Sequence, residues 1–198
     1  MSERGKFIVI YGANNLGKTV QANLLIDSLR NIDKNAHYLK YPIYDLEPTG
    51  PRINAALREG LNISDIELQK EFSQNRRDFE PTLSKWLEAG RWLVSEDYKG
   101  TGISWGVTHD IPLETMEAMN RGLLDEDLGV LLDGERFSSG IERNHRYESS
   151  SSWEKARQVH LELAKRYQWE VVNANRTREK VAEDIWKIVE FKLLNYTT

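Results

Sequence analysis

Residues 12–19 read GANNLGKT, and this octapeptide constrains the fold more than any other feature of the sequence. The pattern G-x-x-x-x-G-K-T is typical of a phosphate-binding loop, in which backbone N–H groups surround an anion and a lysine neutralises it. The preceding run KFIVIY (6–11) is apolar, as a buried strand would be, and the following TVQANLLIDSLRN repeats apolar residues at helical spacing. Both flanks favour a P-loop, and the hydroxyl of Thr19, a ligand type for Mg²⁺, indicates a nucleoside triphosphate.

Four further apolar runs alternate with helical patterns along the chain. The predicted strands are AHYLKY (36–41), RWLVSE (91–96), LGVLLD (128–133) and WEVVNA (169–174), and further helices are predicted over 51–59, 64–89, 112–123, 153–167 and 177–194. This alternation predicts an α/β fold of the P-loop NTPase type, a parallel sheet of about five strands with helices on both faces in three layers. The length of 198 residues predicts a single domain, 1–198. The basic, Gly/Ser-rich stretch at approximately 134–152 predicts a mobile lid within it.

Composition excludes several classes of protein. The chain has no cysteine, so it has no disulfide, thiolate zinc site or cysteine nucleophile, and a cytoplasmic location is expected. A formal net charge of −4 argues against bulk binding of nucleic acid. No apolar run approaches the roughly 20 residues that cross a bilayer, and the first residues do not have the pattern of a signal peptide. We therefore expect neither a nucleic-acid partner nor a membrane partner.

Polar residues that follow the predicted strands are candidates for a site, because ligands of parallel α/β sheets bind beyond the carboxyl ends of the strands. Glu96 and Asp97 follow the third strand, where a carboxylate can hold Mg²⁺ through water or orient a nucleophile. The segment 40–50 forms either a wall of an acceptor site or an ordinary connection. The basic, Gly/Ser-rich segment 134–153 either closes over a transferred phosphate or is a solvated loop.

The helix predicted over 64–89 carries a second kind of candidate. Phe72, Arg76 and Phe79 share one of its faces by spacing. An aromatic ring beside a guanidinium suits a surface that stacks a base and holds a phosphate. Core packing of Phe72 beside a solvated Arg76 fits the same spacing.

Taken in order, these segments resemble the thymidylate kinases over nearly the whole chain. FIVIYGANNLGKTVQANLL resembles the opening strand, P-loop and helix of that family, and FSQNRRDFEPTLSKWLEAGRWLVSEDY resembles its F-x-x-N-R to D-R-Y segment. YP…TG, LGVLLD and HRYESSSSW also have counterparts. The resemblance implies an ATP-dependent nucleoside monophosphate kinase of nucleotide biosynthesis, which converts dTMP and Mg·ATP into dTDP and ADP and works as a homodimer.

The P-loop pattern and the resemblance together imply the residues of the site. Those that bind ATP are Gly12, Ala13, Asn14, Asn15, Leu16, Gly17, Lys18, Thr19 and Arg176. Those that bind the acceptor are Lys40, Pro42, Phe72, Arg76, Asp97, Tyr98, Thr101 and Trp105. The catalytic residues are Lys18, Glu96, Arg143 and Arg146, and the residues that hold Mg²⁺ are Thr19 and Glu96.

Two departures from the family pattern concern the P-loop. Asn14 stands where the family usually has a carboxylate, and Asn15 stands where one branch has an arginine. An uncharged Asn14 predicts a hydrogen bond to the acceptor sugar that is weaker by about 1 kcal/mol. An uncharged Asn15 shifts the neutralisation of the γ-phosphate to Arg143 or Arg146.

A third departure is Asp97, which stands where the family has arginine. At ~4 Å, a phosphate would be repelled by about 4 kcal/mol per charge pair. We therefore expect either that Asp97 turns away while Lys99, Arg76 or Arg77 compensates, or that the acceptor is held differently. Two alternative functions stay open: a kinase for another nucleotide or nucleoside, and a nucleotide-binding module that has lost transfer.

Overall fold

The computed structural model describes residues 3–138, 146–147 and 150–194, without the side chains of 150 and 151. Within these ranges five parallel strands form one sheet in the order β2-β3-β1-β4-β5. They are β1 (Phe7–Tyr11), β2 (Ala36–Lys40), β3 (Trp92–Glu96), β4 (Leu128–Asp133) and β5 (Glu170–Asn173). The five predicted strands are confirmed to within one residue at each end.

Seven α-helices connect and follow these strands in the described ranges. They are α1 (Lys18–Arg30), α2 (Thr49–Arg58), α3 (Asp65–Glu88), α4 (Lys99–Thr108), α5 (Leu113–Asn120), α6 (Ser150–Tyr167) and α7 (Arg178–Val189), with a π-helical turn over Glu190–Leu194. The sequence did not predict α4. The helix predicted over 112–123 extends three residues beyond the end of α5, where Gly122 follows at φ 82°. No helix of the described residues is both long and apolar enough to span a membrane.

The strands bury alternate residues in two cores, one on each face of the sheet. Ile8 and Ile10 of β1 pack with the apolar faces of α1 and α7. Phe7, Val9 and Tyr11 pack on the other face, against residues of α3, α4, α5 and α6. This arrangement of helices on both faces confirms the predicted three-layer α/β/α fold.

One apolar residue of the helical repeat predicted after the P-loop is exposed. Val20 has helical spacing with Leu25 and Leu29, which are buried, yet its own side chain is 46% exposed. It lies in the first turn of α1, directly after the P-loop. Val20 lines a cavity there rather than the core.

Helix α3 is anchored at two places, at its N-terminus and around Asn75. Ser64 and Glu67 form a capping box at its N-terminus, which satisfies two backbone donors. Farther along, the Asn75 side chain accepts from the Ile43 backbone N–H at 2.8 Å and donates to the Ile43 carbonyl at 2.9 Å and to Thr49 at 2.9 Å. The connection after β2 is therefore held against α3, on the side where the cavity opens.

Candidate active site

The P-loop turns between β1 and α1 in the conformation that its sequence predicts. Gly12 and Gly17 have φ of 142° and 82°. A Cβ on Gly12 would lie 2.7 Å from the Leu132 carbonyl oxygen, so only glycine fits there. Asn15 adopts φ 61°, a left-handed conformation that asparagine tolerates better than most residues. The asparagine at this position therefore suits the backbone of the loop, whatever its side chain does for a ligand.

Lys18 lies buried beneath this loop. Its ammonium donates to the carbonyls of Gly12 and Ala13 at 2.8 and 3.1 Å, and its side chain is 5% exposed. Two other carbonyls of the loop accept hydrogen bonds from outside it. The Trp153 indole donates to the Asn14 carbonyl at 2.7 Å and the Phe137 backbone N–H to the Asn15 carbonyl at 3.0 Å. The conformation of the loop is thus stabilised by Lys18 beneath it and by Trp153 and Phe137 beside it.

Glu96, at the carboxyl end of β3, lies directly beside the P-loop. Its carboxylate accepts from the Thr19 hydroxyl at 2.6 Å, the Tyr38 hydroxyl at 2.7 Å and the Lys40 ammonium at 3.0 Å. Burial disfavours the charged form, but Lys18 and these hydrogen bonds outweigh it and lower the pKa of Glu96. Glu96 is therefore ionised at neutral pH, with its oxygen next to the Thr19 hydroxyl.

These two oxygens fit a magnesium site of the sparse kind. Mg²⁺ prefers hard oxygen ligands and usually keeps several waters and substrate phosphates, so it needs few protein groups. Thr19 and Glu96 supply one hydroxyl and one carboxylate 2.6 Å apart beside the lysine of the loop. The described residues contain no cluster of three or more histidine and acidic side chains able to hold a metal by themselves.

Asp97 faces the P-loop, so the first of the two alternatives, in which it turns away, is wrong. Its carboxylate accepts from Thr101 at 2.9 Å and lies 3.7 Å from the Lys18 ammonium. The backbone of Asp97 has φ 64°, a left-handed conformation that aspartate tolerates better than most residues. Burial raises the pKa of Asp97 even though Lys18 opposes the shift. The carboxylate is thus held within reach of the lysine that a donor phosphate would need.

The basic residues expected to compensate for Asp97 lie elsewhere. Lys99 pairs with Asp125 and Glu126. Arg77 donates to the carbonyls of Met119 and Arg121. Neither lines the cavity beside Asp97, and Arg76 lies at its far end.

One cavity of about 490 Å³ runs from the P-loop to the middle of α3. Each residue predicted to bind the acceptor lines it, together with part of the P-loop. These residues are Asn14, Asn15, Gly17, Lys18, Thr19, Lys40, Pro42, Phe72, Arg76, Glu96, Asp97, Tyr98, Thr101 and Trp105. Sequence reasoning missed Tyr44, Arg58, Gln69, Gly102, Phe137 and Tyr147, which line it as well.

Arg76 lines the far end of this cavity as a buried cation. It is 3% exposed, and its guanidinium donates to the Asn120 and Ser73 side chains at 3.1 and 3.3 Å. No carboxylate of the described residues pairs with it, and burial lowers its pKa to about 10. A Cβ on Gly102 would lie 2.8 Å from this guanidinium. The alternative of a solvated Arg76 is therefore wrong, and its charge is available to acceptor groups of a ligand.

Aromatic rings form the walls around Arg76. Phe72 is partly buried one turn before it on α3. The rings of Trp105 and Tyr147 stack with centroids 4.7 Å apart and an interplanar angle of 8°. Tyr98 packs its ring against Phe7 and Tyr41 and is 1% exposed. A flat ligand ring that enters this end meets aromatic faces and one guanidinium.

Comparison with known proteins identifies the family of this chain. A sequence model of the family described as thymidylate kinase matches residues 10–185 of this chain.

The chain belongs to the thymidylate kinase family.

Relatives within the thymidylate kinase family cover the chain almost from end to end. The thymidylate kinase of Dictyostelium discoideum is 28% identical over 204 residues, which cover 100% of this chain and 91% of the relative. The thymidylate kinase of Homo sapiens is 27% identical and covers 93% and 89%. The structure of the thymidylate kinase from Candida albicans has a TM-score of 0.85 at 24% identity, over 96% of this chain and 93% of that one, and shows the fold. The resemblance and the kinase class predicted from the sequence are thereby confirmed.

Two arginines that the thymidylate kinase resemblance placed at the nucleotides lie away from the cavity. Arg146 donates to the Ile63 carbonyl and the Asp65 carboxylate, each at 3.0 Å, at the start of α3. Arg176 pairs with Asp184 of α7. Neither lines the cavity, so the assignments of Arg146 to catalysis and of Arg176 to ATP are not supported by this arrangement. Arg143 lies outside the described residues.

Proposed function

We propose that the chain transfers the γ-phosphate of ATP to dTMP, which gives ADP and dTDP. The observation that carries this proposal is the single cavity that joins the P-loop to the aromatic pocket around Arg76. A hydrolase that used only the P-loop would not need the second half of the cavity. Among the ionisable side chains that line it, the four basic ones, Lys18, Lys40, Arg58 and Arg76, outnumber the two carboxylates, which suits two anionic nucleotides.

The donor half of the cavity would position and neutralise the triphosphate. Backbone N–H groups of residues 12–19 would surround its β- and γ-phosphates, and Lys18 would give up its bonds to Gly12 and Ala13 for phosphate oxygens. Thr19 and Glu96 would hold Mg²⁺, which when bound neutralises charge on those oxygens. The ionised state of Glu96 supports this role.

The acceptor half would place the second nucleotide in line with the first. Phe72 would stack on the thymine, and Arg76 would donate to its carbonyl oxygens. The attacking oxygen belongs to a phosphate monoester whose second pKa is about 6, so it is already mostly ionised at pH 7 and needs no general base. The bond from the γ-phosphorus to the bridging oxygen of ADP breaks as the bond to the dTMP oxygen forms. Catalysis is then a matter of positioning and charge neutralisation.

One observation favours a second candidate, a nucleotide-binding protein that has lost transfer. Asp97 holds a carboxylate 3.7 Å from the Lys18 ammonium, where it competes with a donor phosphate for the same charge. A carboxylate about 6 Å from a phosphate repels it by roughly 3 kcal/mol per charge pair at an effective dielectric of 20. Arginine at this position would have attracted the phosphate instead.

ADP formation with a panel of acceptors separates the two candidates. The protein is incubated with Mg·ATP and, in separate reactions, dTMP, dUMP, thymidine and dCMP. We expect rapid ADP formation with dTMP, slower formation with dUMP, and none with thymidine, which lacks the acceptor phosphate, or with dCMP. ATP binding without ADP formation in any of the four reactions would instead support the nucleotide-binding module.

The variant Asp97→Asn sharpens the same experiment. It removes the charge but keeps an oxygen that can accept from Thr101. We expect it to bind ATP about tenfold more tightly, because the discount for partial solvent screening leaves about 1.4 kcal/mol of the repulsion. Weaker ATP binding in this variant would show that the carboxylate itself serves the bound nucleotide, and the competition with Lys18 would then be the wrong account.

A further inference from the structure

Tyr38 donates a hydrogen bond to the carboxylate of the proposed magnesium site. It lies on β2, the edge strand of the sheet, and its hydroxyl is 2.7 Å from Oε2 of Glu96 on β3. Tyr38 does not line the cavity, and the proposed transfer gives it no part. A hydroxyl in this position can influence the reaction only through the carboxylate that it bonds.

The register of the sheet brings two donors to Glu96 from this one strand. Lys40 pairs with Glu96 in the parallel register, and Tyr38 lies two residues before Lys40. Residues i and i+2 of a strand lie on the same face of the sheet, and Ala36, two residues earlier still, packs with α1 in the core on that face. Lys40 donates to Oε1 of Glu96 at 3.0 Å, while Tyr38 and Thr19 donate to Oε2 at 2.7 and 2.6 Å. The donors therefore hold both oxygens of the carboxylate.

The three donors differ in what a bound nucleotide would do to them. Lys40 and Thr19 line the cavity, so a phosphate can draw the ammonium away and Mg²⁺ can bind the hydroxyl oxygen. The Lys40 side chain is 47% exposed, which leaves it room to move. Tyr38 bonds Glu96 from outside the cavity, where no ligand competes for its proton. Its hydrogen bond is the one that stays in place when the cavity fills.

We infer that Tyr38 is a positioning residue, which keeps the Glu96 carboxylate aimed at Thr19 so that the two oxygens bind Mg²⁺ together with ATP. An outer group that orients a metal ligand typically accounts for about 10-fold to 100-fold in metal affinity. A carboxylate already held by Tyr38 also loses less side-chain freedom when the ion binds. This inference rests on the proposed function, because it requires the magnesium site beside the P-loop.

ATP binding measured by calorimetry, with Mg²⁺ and separately in EDTA, tests Tyr38 without any turnover. We expect the wild type to bind ATP more tightly with Mg²⁺ than in EDTA. Tyr38→Phe should weaken binding with Mg²⁺ about tenfold. It should leave the affinity in EDTA unchanged, because phenylalanine keeps the ring and removes only the hydroxyl. A tyrosine that merely supported the edge of the sheet would affect both conditions alike.

Tyr167→Phe is the matched control. The Tyr167 hydroxyl also donates to a glutamate at 2.7 Å, in this case Glu117, and neither residue lines the cavity of the candidate site. This variant should leave the affinity for ATP unchanged under both conditions.

A double-mutant cycle shows whether Tyr38 acts through Glu96. In a Glu96→Gln background, Tyr38→Phe should weaken Mg·ATP by less than about twofold, because the carboxylate that it positions is already gone. A full tenfold loss in that background would mean that Tyr38 acts independently of Glu96 and would overturn the inference.

The inference and the proposed function fail in different ways. Equal affinity of the wild type for ATP in Mg²⁺ and in EDTA overturns the magnesium site and the role of Tyr38 with it. A magnesium preference that Tyr38→Phe keeps in full overturns only the role of Tyr38. A preference that Tyr38→Phe loses, in a protein that transfers phosphate to no acceptor, overturns the transfer and upholds the role of Tyr38.

Discussion

Replacement of Lys18 with methionine is expected to lower the turnover of dTMP by about 100-fold to 1,000-fold, while the protein stays folded. Loss of one preorganised charge or donor at a transition state typically has this effect. Methionine fills the buried space and gives up the bonds to the Gly12 and Ala13 carbonyls. It also leaves Asp97 without the ammonium 3.7 Å away, so the uncompensated carboxylate would repel the donor as well. ADP formation under saturating acceptor is the measurement.

Lys187→Met controls for the loss of any one positive charge. Lys187 is exposed on α7, pairs with Glu183 and does not line the cavity. The Lys187→Met variant should turn over dTMP at the wild-type rate. Turnover by Lys18→Met at the rate of this control would remove the lysine from the mechanism and, with it, the present account of the donor half.

The second large effect is expected from Arg76→Met, with opposite signs for binding and stability. Arg76 is a buried cation without a carboxylate partner, and a pKa of about 10 in place of 12.5 corresponds to roughly 3 kcal/mol of unfavourable charge burial, present in full below pH 10. Removal of the charge relieves that cost, but it leaves the Asn120 oxygen without its donor. We expect the free energy of unfolding of the unliganded protein to rise by about 1 kcal/mol. The affinity for dTMP should fall about 100-fold.

Arg77→Met provides the matched comparison one position along the helix. Arg77 donates to the Met119 and Arg121 carbonyls and does not line the cavity. This variant should keep the affinity for dTMP and lose about 1 kcal/mol of stability. Chemical denaturation gives the unfolding free energies, and calorimetry gives the affinities. If Arg76→Met destabilised the protein and bound dTMP normally, Arg76 would be a structural residue and the acceptor half would need another anchor.

Features of the fold that rest on short-range pattern were predicted well. Strand β1 is a continuous apolar run, FIVIY, and the P-loop lies between it and a helix as its spacing requires. Phe72 and Arg76 were predicted as one face of a helix, and one face of α3 does carry both to the cavity. Periodicity decides such features within a few residues of chain.

Features that depend on contacts between distant segments were not predicted. Helix α4 contains Gly100, Gly102 and Gly106, which read as breakers of a helix. In the structure each glycine makes room for a side chain of another element, and these side chains are Trp169, Arg76 and Met116. The glycines of α4 are therefore packing positions, and no local pattern reveals that.

The same limit applies to the polar residues of the site. Gln69 meets Tyr147 across 78 positions of sequence, so neither residue signals the other. Arg146 is drawn to Asp65 at the start of α3, although its basic segment suggested a role at the phosphates. Asp97 adopts a left-handed backbone conformation directly after β3. Such conformations and pairings are decided by the assembled fold.

The close approach of Gly102 to Arg76 couples the evolutionary fates of these two positions. Asn120 and Ser73 hold the guanidinium in place, so it cannot move aside cheaply for even one methyl group at position 102. During sequence drift, position 102 is free to change only after the arginine has been lost. Homologues with a larger residue there are expected to lack the arginine, and an alignment in which both commonly coexist would refute the coupling.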